Sequence, residues 1–189
     1  MQIMIRPGFT TAAECGRLVE QIREVKTSDP TVRTTRVRSE MSAISLMEHG
    51  DDTVAGIRSR VLAELSKFFG LDDLWLECTI LSEMRAGDRV PLHADNERRV
   101  AEKWEPNHTP HRSHAAILYL NSAGPGGGYS GGSLRFPSRE LEVIPAAGTL
   151  VAFPCDRRFE HEVGVVEDGD RYTLAIWCTT LPDHEEPWM

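Results

Sequence analysis

The chain has 189 residues, of which 40% are apolar and 26% charged, with a formal net charge of -8. This composition is ordinary for a globular protein of one domain, and no run of about 18 apolar residues exists that could span a membrane. The acidic balance argues against a nucleic-acid partner. The densest basic stretch, residues 31–38, contains three arginines that could bind an anion, but it is interpreted as a solvated strand or loop.

The amino-terminal ten residues contain no basic region followed by an apolar stretch, so no secretory signal is predicted and a cytoplasmic location is expected. The four cysteines are scattered and form no CxxC pair. We therefore expect reduced, mostly buried thiols rather than disulfides or a thiolate zinc site.

Two amphipathic helices are predicted in the first part of the chain. Thr11 and Glu14 have the spacing of a capping box, and apolar residues then recur at helical intervals, so a helix is expected over residues 12–26. A second helix is expected over residues 51–70, with Gly70 as its C-cap. Both helices are interpreted as scaffold.

After the second helix, short apolar segments alternate with turn residues. The segments are LWLECTIL, AAILYLN, SLRF, LEVIP, GTLVAFP, HEVGVV and YTLAIWCTT. Many short strands at this spacing predict an antiparallel sandwich or barrel. We expect a mainly β protein with N-terminal helices, built as a double-stranded β-helix (a cupin-like jelly roll). Residues 1–72 would be a helical support and residues 73–181 the jelly-roll core of a single domain over residues 1–189.

Two loops in the core stand out. Residues 96–112 are long, polar and weakly patterned, which is typical of a lid, with Trp104 as a candidate substrate contact. Residues 124–132 (GPGGGYSGG) are predicted to be flexible, and no Lys-Ser/Thr follows that would make them a phosphate loop. We expect these two loops to decide the substrate.

A candidate metal site comes from three side chains. In a strand, residues i and i+2 lie on the same face, so His93 and Asp95 can present an imidazole and a carboxylate to one ion. That pair alone is common by chance. His161, which follows the segment GTLVAFP, adds a second imidazole. Two histidines and one carboxylate form the facial triad of non-haem iron oxygenases, which leaves three coordination positions open.

An anionic co-substrate would need a cationic anchor. Arg171 lies ten residues after His161, across a turn, and an arginine grips a carboxylate through two charge-assisted hydrogen bonds. By its position alone Arg171 is better interpreted as an exposed hairpin arginine, and that alternative stays open.

These motifs, in this order, resemble a known family. They are HAD at 93–95, YLN at 119–121, GGSLRFP at 131–137, GTLVAF at 148–153 and HEV at 161–163, followed by Arg171 and Trp177. The set resembles the prolyl-hydroxylase-like branch of the 2-oxoglutarate/Fe(II) dioxygenases. LHADN, followed by a polar insert and AAILYLN, resembles the prolyl 3-hydroxylase subgroup. The resemblance covers about residues 74–180, more than half of the chain.

The resemblance implies roles for individual residues. His93, Asp95 and His161 would ligate Fe(II), Arg171 would bind the distal carboxylate of 2-oxoglutarate, and Tyr119 would donate its hydroxyl to that carboxylate. For Tyr119, a core tyrosine with a polar tip remains the alternative. The implied cofactors are Fe(II), 2-oxoglutarate and O2, with ascorbate as a reductant.

Further pocket residues are assigned by the same resemblance and by position. Thr173 would share the strand face of Arg171 and add a hydrogen bond to the co-substrate. The substrate pocket is expected to include Trp177, Arg135, Trp104 and Asn96.

One position departs from the family pattern. The family often carries a tyrosine nine residues before the first metal-binding histidine, where its hydroxyl contacts the co-substrate. This chain has Met84 there, and a thioether cannot donate a hydrogen bond. We therefore expect either that Tyr119 acts alone or that the co-substrate pocket differs.

A rival cluster consists of His108, His111 and His114. Pro110 interrupts any helix, and a spacing of three does not align side chains on a strand, so a second metal site is not expected there.

The expected reaction is hydroxylation of an unactivated C–H bond, coupled to conversion of 2-oxoglutarate to succinate and CO2. The substrate is expected to be a prolyl or other amino-acid residue, free or peptidyl, or a small natural product. A non-catalytic metal-binding jelly roll remains the first alternative. A nucleic-acid demethylase is a weaker one, because such relatives carry an arginine where this chain has Trp177.

Overall fold

Two α-helices and fourteen strands are present in the computed structural model, which describes residues 2–28, 35–36, 42–45 and 52–186. The helices are α1 (Ala12–Ser28) and α2 (Asp52–Phe69). The strands are β1 (Met4–Arg6), β2 (Thr35–Arg36), β3 (Ser42–Ser45), β4 (Trp75–Arg85), β5 (Val90–His93), β6 (Glu97–Val100), β7 (Lys103–Pro106), β8 (Arg112–Tyr119), β9 (Tyr129–Gly131), β10 (Leu134–Phe136), β11 (Leu141–Val143), β12 (Leu150–Pro154), β13 (His161–Val163) and β14 (Val166–Thr179).

The strands form two antiparallel sheets and one hairpin. The main sheet has the order β1-β12-β8-β14-β4-β3-β2, with β9 paired to the first part of β14. The second sheet has the order β11-β10-β13-β5, and β6 and β7 form a separate hairpin. Buried residues of both sheets, such as Phe136 and Phe153, pack together in one apolar cluster, so the two sheets lie face to face. The predicted mainly β jelly roll is confirmed.

The two helices form where the sequence predicts them. At the start of α1, the Thr11 backbone N–H donates to the Glu14 carboxylate over 2.8 Å, and the Glu14 N–H donates to the Thr11 hydroxyl over 3.2 Å. This reciprocal pair is the predicted capping box. Helix α1 continues two residues beyond its predicted end, and α2 begins and ends within one residue of the predicted range.

The main sheet has two different buried faces because successive side chains of a strand point to opposite sides. One face packs against the helices in a continuous apolar cluster. That cluster includes Leu18, Ile22, Ile57, Val61, Leu65, Leu81, Leu118, Leu150, Leu174 and Ile176. The other face looks toward the second sheet, where polar and charged side chains are also buried.

The amino-terminal part is not purely helical, contrary to the prediction for residues 1–72. Strand β1 pairs with β12, and β3 pairs with β4, so both ends of the main sheet are made by this part of the chain. These strands have two to four residues, too few for an alternating pattern to stand out. Of the basic stretch at residues 31–38, only Thr35–Arg36 is described, and its interpretation falls outside the described residues.

All four cysteines lie in the described part of the chain and are free, as predicted. Burial raises the pKa of the Cys78 thiol to about 11 and that of Cys178 to about 12, so both stay protonated at neutral pH. Within the described residues, neither helix has the length and apolar character that crossing a membrane requires.

Candidate active site

The three predicted metal ligands lie close together on the second sheet, on the side that faces the main sheet. His93 ends β5, His161 begins β13, and the two residues are direct cross-strand partners. Asp95 follows β5, and its backbone N–H donates to the Cys155 carbonyl over 3.0 Å. One ligand atom from each of the three side chains lies within 4.8 Å of the other two.

The two imidazoles are held in the orientation that metal binding needs. The Nδ1 atom of His93 lies 2.8 Å from the Pro91 carbonyl, and that of His161 lies 3.0 Å from the Phe159 carbonyl. A carbonyl only accepts hydrogen bonds, so each ring carries its proton on Nδ1. The Nε2 atoms are thereby turned toward the Asp95 carboxylate, at 3.6 Å for His93 and 3.9 Å for His161.

Asp95 is buried at 7% exposure, and its Oδ2 atom has no hydrogen-bond partner among the described residues. Burial raises the pKa of this carboxyl, but the neighbouring His161 and His93 and the indole N–H of Trp177 outweigh it, and the net pKa lies well below the ordinary range. The group is thus an anion at neutral pH. Two imidazole nitrogens and one anionic oxygen, close together in a buried cluster, fit a divalent iron ion.

Arg171 lies deeper on the same side of the main sheet and is 2% exposed. Its Nη1 donates to the Met84 sulfur over 3.4 Å, and its Nε and Nη2 have no hydrogen-bond partner among the described residues. The Tyr119 ring centroid lies 5.0 Å from the guanidinium carbon, and the Tyr119 hydroxyl is also buried without a partner. A buried cation with free donors is costly unless an anion meets it, which fits the carboxylate of a co-substrate.

A cavity of about 240 Å³ joins these groups. All three metal-ligand candidates and Arg171 line it, together with Thr173 and Trp177. The rest of its wall is largely apolar. These residues include Ile80, Met84, Val90, Ala115, Ile117, Phe153, Val163 and Ala175. One cavity thus combines a metal-ligand set, a carboxylate-binding arginine and apolar walls that exclude water.

Three of the predicted substrate-pocket residues do not line this cavity. Arg135 is exposed on β10 and pairs with Glu142 over 3.1 Å, because alternation on this short strand directs Leu134 and Phe136 inward instead. Trp104 lies on the β6–β7 hairpin, so part of the expected lid is a regular hairpin. The Asn96 side chain donates to the Arg112 carbonyl over 2.9 Å and ties the hairpin to β8.

The three histidines of the rival cluster lie apart. His111 faces Glu77 at 3.0 Å, His114 packs on Phe69 at a centroid distance of 4.5 Å, and His108 lines the cavity. Among the described residues, the one group of metal-type ligands is His93, Asp95 and His161.

Two residues beside the predicted site were not predicted: Arg112, which lines the cavity, and Tyr129, which lies behind it next to Arg171. The guanidinium of Arg112 lies 4.3 Å from the Trp177 ring centroid and donates through Nε to Glu77 over 2.7 Å. Tyr129 is buried beside Arg171, although it belongs to the glycine-rich stretch that was expected to be flexible. The single aromatic residue within GPGGGYSGG was the available signal, since a buried aromatic side chain anchors the strand that carries it.

Known proteins share both the sequence motifs and this architecture. A family model described as the 2OG-Fe(II) oxygenase superfamily matches residues 79–179. Human prolyl 3-hydroxylase 1 is 36% identical over 107 residues, which are 54% of this chain and 14% of the human protein. Mouse prolyl 3-hydroxylase 3 is 35% identical over 113 residues, 55% of this chain and 15% of that protein. The chain thus matches only a small part of the length of these curated relatives.

Solved structures extend the likeness to nearly the whole chain. A viral collagen prolyl hydroxylase from Paramecium Bursaria Chlorella virus-1, in its 2OG complex, has a TM-score of 0.73 at 17% identity and covers 96% of this chain and 97% of that chain. A Pseudomonas putida prolyl-4-hydroxylase has a TM-score of 0.64 at 22% identity, covering 94% and 91%. At these identities the likeness concerns the fold. Because the family model matches more than half of the residues, the chain belongs to the 2OG-Fe(II) oxygenase superfamily.

Proposed function

We propose that the chain is an Fe(II)- and 2-oxoglutarate-dependent hydroxylase of a prolyl or related amino-acid residue, free or within a peptide. The proposal also includes a small natural product that is hydroxylated at an unactivated aliphatic carbon. The observation that carries the proposal is the single cavity in which His93, Asp95 and His161 face Arg171. The names of the relatives, prolyl 3-hydroxylase and collagen prolyl hydroxylase, favour a prolyl group.

In this proposal the three ligand candidates hold Fe(II). The carbonyls of Pro91 and Phe159 keep the imidazole protons on Nδ1, so both Nε2 atoms stay available to the ion. Asp95 supplies the negative charge. When bound, Fe(II) with 2-oxoglutarate and O2 supplies the oxidation that places one oxygen atom on the substrate and the other in succinate as CO2 leaves.

Arg171 would receive the distal carboxylate of 2-oxoglutarate through its Nε and Nη2 donors, which have no other partner among the described residues. The Tyr119 hydroxyl would add a donor. Burial raises its pKa and Arg171 opposes that rise, so the hydroxyl stays protonated at neutral pH. Thr173 lines the cavity two residues along the same strand face. Ascorbate as a reductant and a cytoplasmic location stay predictions.

The remaining cavity wall suits an uncharged aliphatic group. Ile80, Val90, Ile117 and Phe153 supply apolar surface, and Trp177 lies next to Asp95 with its ring covered by the Arg112 guanidinium. Such walls exclude water from the reacting carbon and give a small saturated ring a close fit.

The test is a turnover assay with peptides that contain proline. The purified chain is incubated with Fe(II), 2-oxoglutarate, O2 and peptide, while succinate is followed by NMR and the peptide by mass spectrometry. We expect succinate and a peptide with one added oxygen atom in matched amounts, and neither product with His161→Ala. Arg60→Leu serves as the control variant because Arg60 pairs with Glu14 on the surface.

A free-proline series and an aliphatic amino-acid series accompany the peptides, so that each substrate form is represented. Succinate production that depends on none of these substrates contradicts the proposed substrate class. A folded chain that binds Fe(II) and yet forms no succinate under any condition contradicts the enzyme itself and favours a non-catalytic metal-binding jelly roll.

A further inference from the structure

Tyr129 is a buried tyrosine whose hydroxyl has no hydrogen-bond partner among the described residues. The residue is 4% exposed. A buried hydroxyl without a partner costs free energy, commonly about 1–3 kcal/mol, so such a group usually meets a ligand or another polar atom. Neither the family pattern nor the sequence motifs assign a role to this position.

The backbone around Tyr129 is built to bring it toward Arg171. Gly169, at the start of β14, is the cross-strand partner of Tyr129 and has a φ of +75°. A Cβ on Gly169 would lie 2.2 Å from the Gly128 carbonyl oxygen and 2.9 Å from the Tyr129 Cα atom. A side chain there would push β9 away, so glycine at this position sets how closely Tyr129 approaches the cavity strand.

A second glycine separates the tyrosine ring from the arginine stem. A Cβ on Gly132 would lie 3.0 Å from the Arg171 Cδ atom and 3.5 Å from the Tyr129 Cε2 atom. The ring edge and the arginine stem thus flank the same glycine. Burial raises the pKa of Tyr129, Arg171 opposes that rise, and the hydroxyl remains a protonated donor at neutral pH.

The opposite side of Arg171 lacks a donor. Its cross-strand partner on β4 is Met84, at the position where the family often has a tyrosine, and the thioether only accepts a hydrogen bond from Nη1 at 3.4 Å. In the described part of the chain, Tyr119 and Tyr129 each carry a buried hydroxyl without a partner, and Arg171 opposes the rise in the pKa of both. Both hydroxyls, like the Nε and Nη2 donors of Arg171, are buried without a hydrogen-bond partner among the described residues.

We propose that Tyr129 is a positioning residue for 2-oxoglutarate, donating a hydrogen bond to its distal carboxylate in place of the hydroxyl that Met84 lacks. The inference rests on the proposed function of the cavity. It assigns the glycine-rich stretch to co-substrate selection rather than to the substrate. The chain would thus prefer a dicarboxylic oxo acid over a short monocarboxylic one through a residue on β9.

The test is an anaerobic titration of the Fe(II)-loaded chain with 2-oxoglutarate and with 2-oxobutyrate, which has no distal carboxylate. Binding is followed by the visible absorbance of the Fe(II)–oxo-acid pair. We expect Tyr129→Phe to raise the Kd of 2-oxoglutarate roughly tenfold or more, the usual effect of losing one hydrogen bond to a charged group. The Kd values of 2-oxobutyrate and of Fe(II) should not change.

Tyr172→Phe is the matched control. Tyr172 is an equally buried tyrosine on the helix side of β14, and its hydroxyl bonds to Glu83 at 3.2 Å rather than facing the cavity. Its variant should keep the parental Kd for 2-oxoglutarate.

Two results would overturn the role of Tyr129 and leave the proposed function intact. One is an unchanged Kd for 2-oxoglutarate in Tyr129→Phe. The other is an equal loss for both oxo acids or for Fe(II), which would make Tyr129 a structural residue. Absence of absorbance in the folded parent with either oxo acid would overturn the proposed function, and this inference with it.

Discussion

The two faces of strand β14 are both buried, yet they differ in kind. On the helix face, Leu174 and Ile176 pack into a continuous apolar cluster with helices α1 and α2. On the cavity face, Arg171 and Thr173 are equally buried but polar, and the guanidinium keeps two donors without a partner. The helix face stabilises the fold through burial. The cavity face sacrifices stability to keep polar groups ready for ligands.

The largest expected effect comes from removing the buried cation. Arg171→Leu should weaken 2-oxoglutarate binding by roughly 100-fold or more, because two charge-assisted hydrogen bonds are lost. Without ligand, the variant should be at least as stable as the parent, since an unpaired buried charge is replaced by an apolar side chain. Calorimetric titration and urea unfolding check the two halves of this prediction. An Arg171→Leu variant that is less stable than the parent and keeps its affinity for 2-oxoglutarate would contradict the view that the cavity face serves binding and not stability.

The opposite face should respond in the opposite way. Leu174→Ala removes a fully buried side chain from the helix cluster and should cost about 2–5 kcal/mol of unfolding free energy. The affinity of the folded variant for 2-oxoglutarate should stay at the parental value. Urea unfolding measures the free energy of unfolding. Titration with 2-oxoglutarate at low temperature, without denaturant, measures the affinity. A large affinity loss in a folded Leu174→Ala protein would contradict the separation of the faces.

A titratable group also belongs to the helix side. Burial lowers the pKa of His114 from 6.5 to about 4, while it packs on Phe69 of α2. The unfolded chain binds a proton at this imidazole more readily than the folded chain does. The free energy of unfolding is therefore at its full value above the unfolded pKa and falls as the pH drops from about 6.5 toward 4. At about pH 5 we expect the parent chain to have lost roughly 1–2 kcal/mol of unfolding free energy, a loss that His114→Leu should not show. Metal-free protein should be used, and an identical pH slope in both proteins would refute the assignment.

The smallest expected effect is on Thr173. Thr173→Val keeps the shape of the side chain and removes one hydroxyl from the cavity wall. We expect the Kd of 2-oxoglutarate to rise roughly three- to tenfold, as for one neutral hydrogen bond. Its unfolding free energy should shift by less than that of Leu174→Ala, the neighbouring residue on the other face. A parental Kd would remove Thr173 from the co-substrate site.

Long patterned elements could be predicted from the sequence. The two helices have apolar residues at helical intervals over several turns, and the capping box at Thr11 and Glu14 fixes the start of α1. The segments around β4, β8, β12 and β14 are apolar enough to be recognised as strands. The pair His93 and Asp95 was recognised from strand alternation, although Asp95 lies just after the end of β5 and not within the strand.

Short elements and long-range proximity could not be predicted. Strands β1, β5 and β9 have three or four residues and depend on neighbours that are distant in sequence. The positions of Arg135 and Trp104 depend on which face of a short strand or hairpin turns inward. The approach of Tyr129 to Arg171 depends on two glycines that only the folded sheet brings together.

The central claim is that the cavity face of the sheet, and not the chain in general, binds Fe(II) and 2-oxoglutarate. Visible absorbance under anaerobic conditions tests it most directly, with Fe(II) added first and 2-oxoglutarate second, in the parent, His161→Ala and Leu174→Ala. The account predicts absorbance in the parent and in folded Leu174→Ala, and none in His161→Ala. No absorbance in the folded parent, or equal absorbance in His161→Ala, would contradict it.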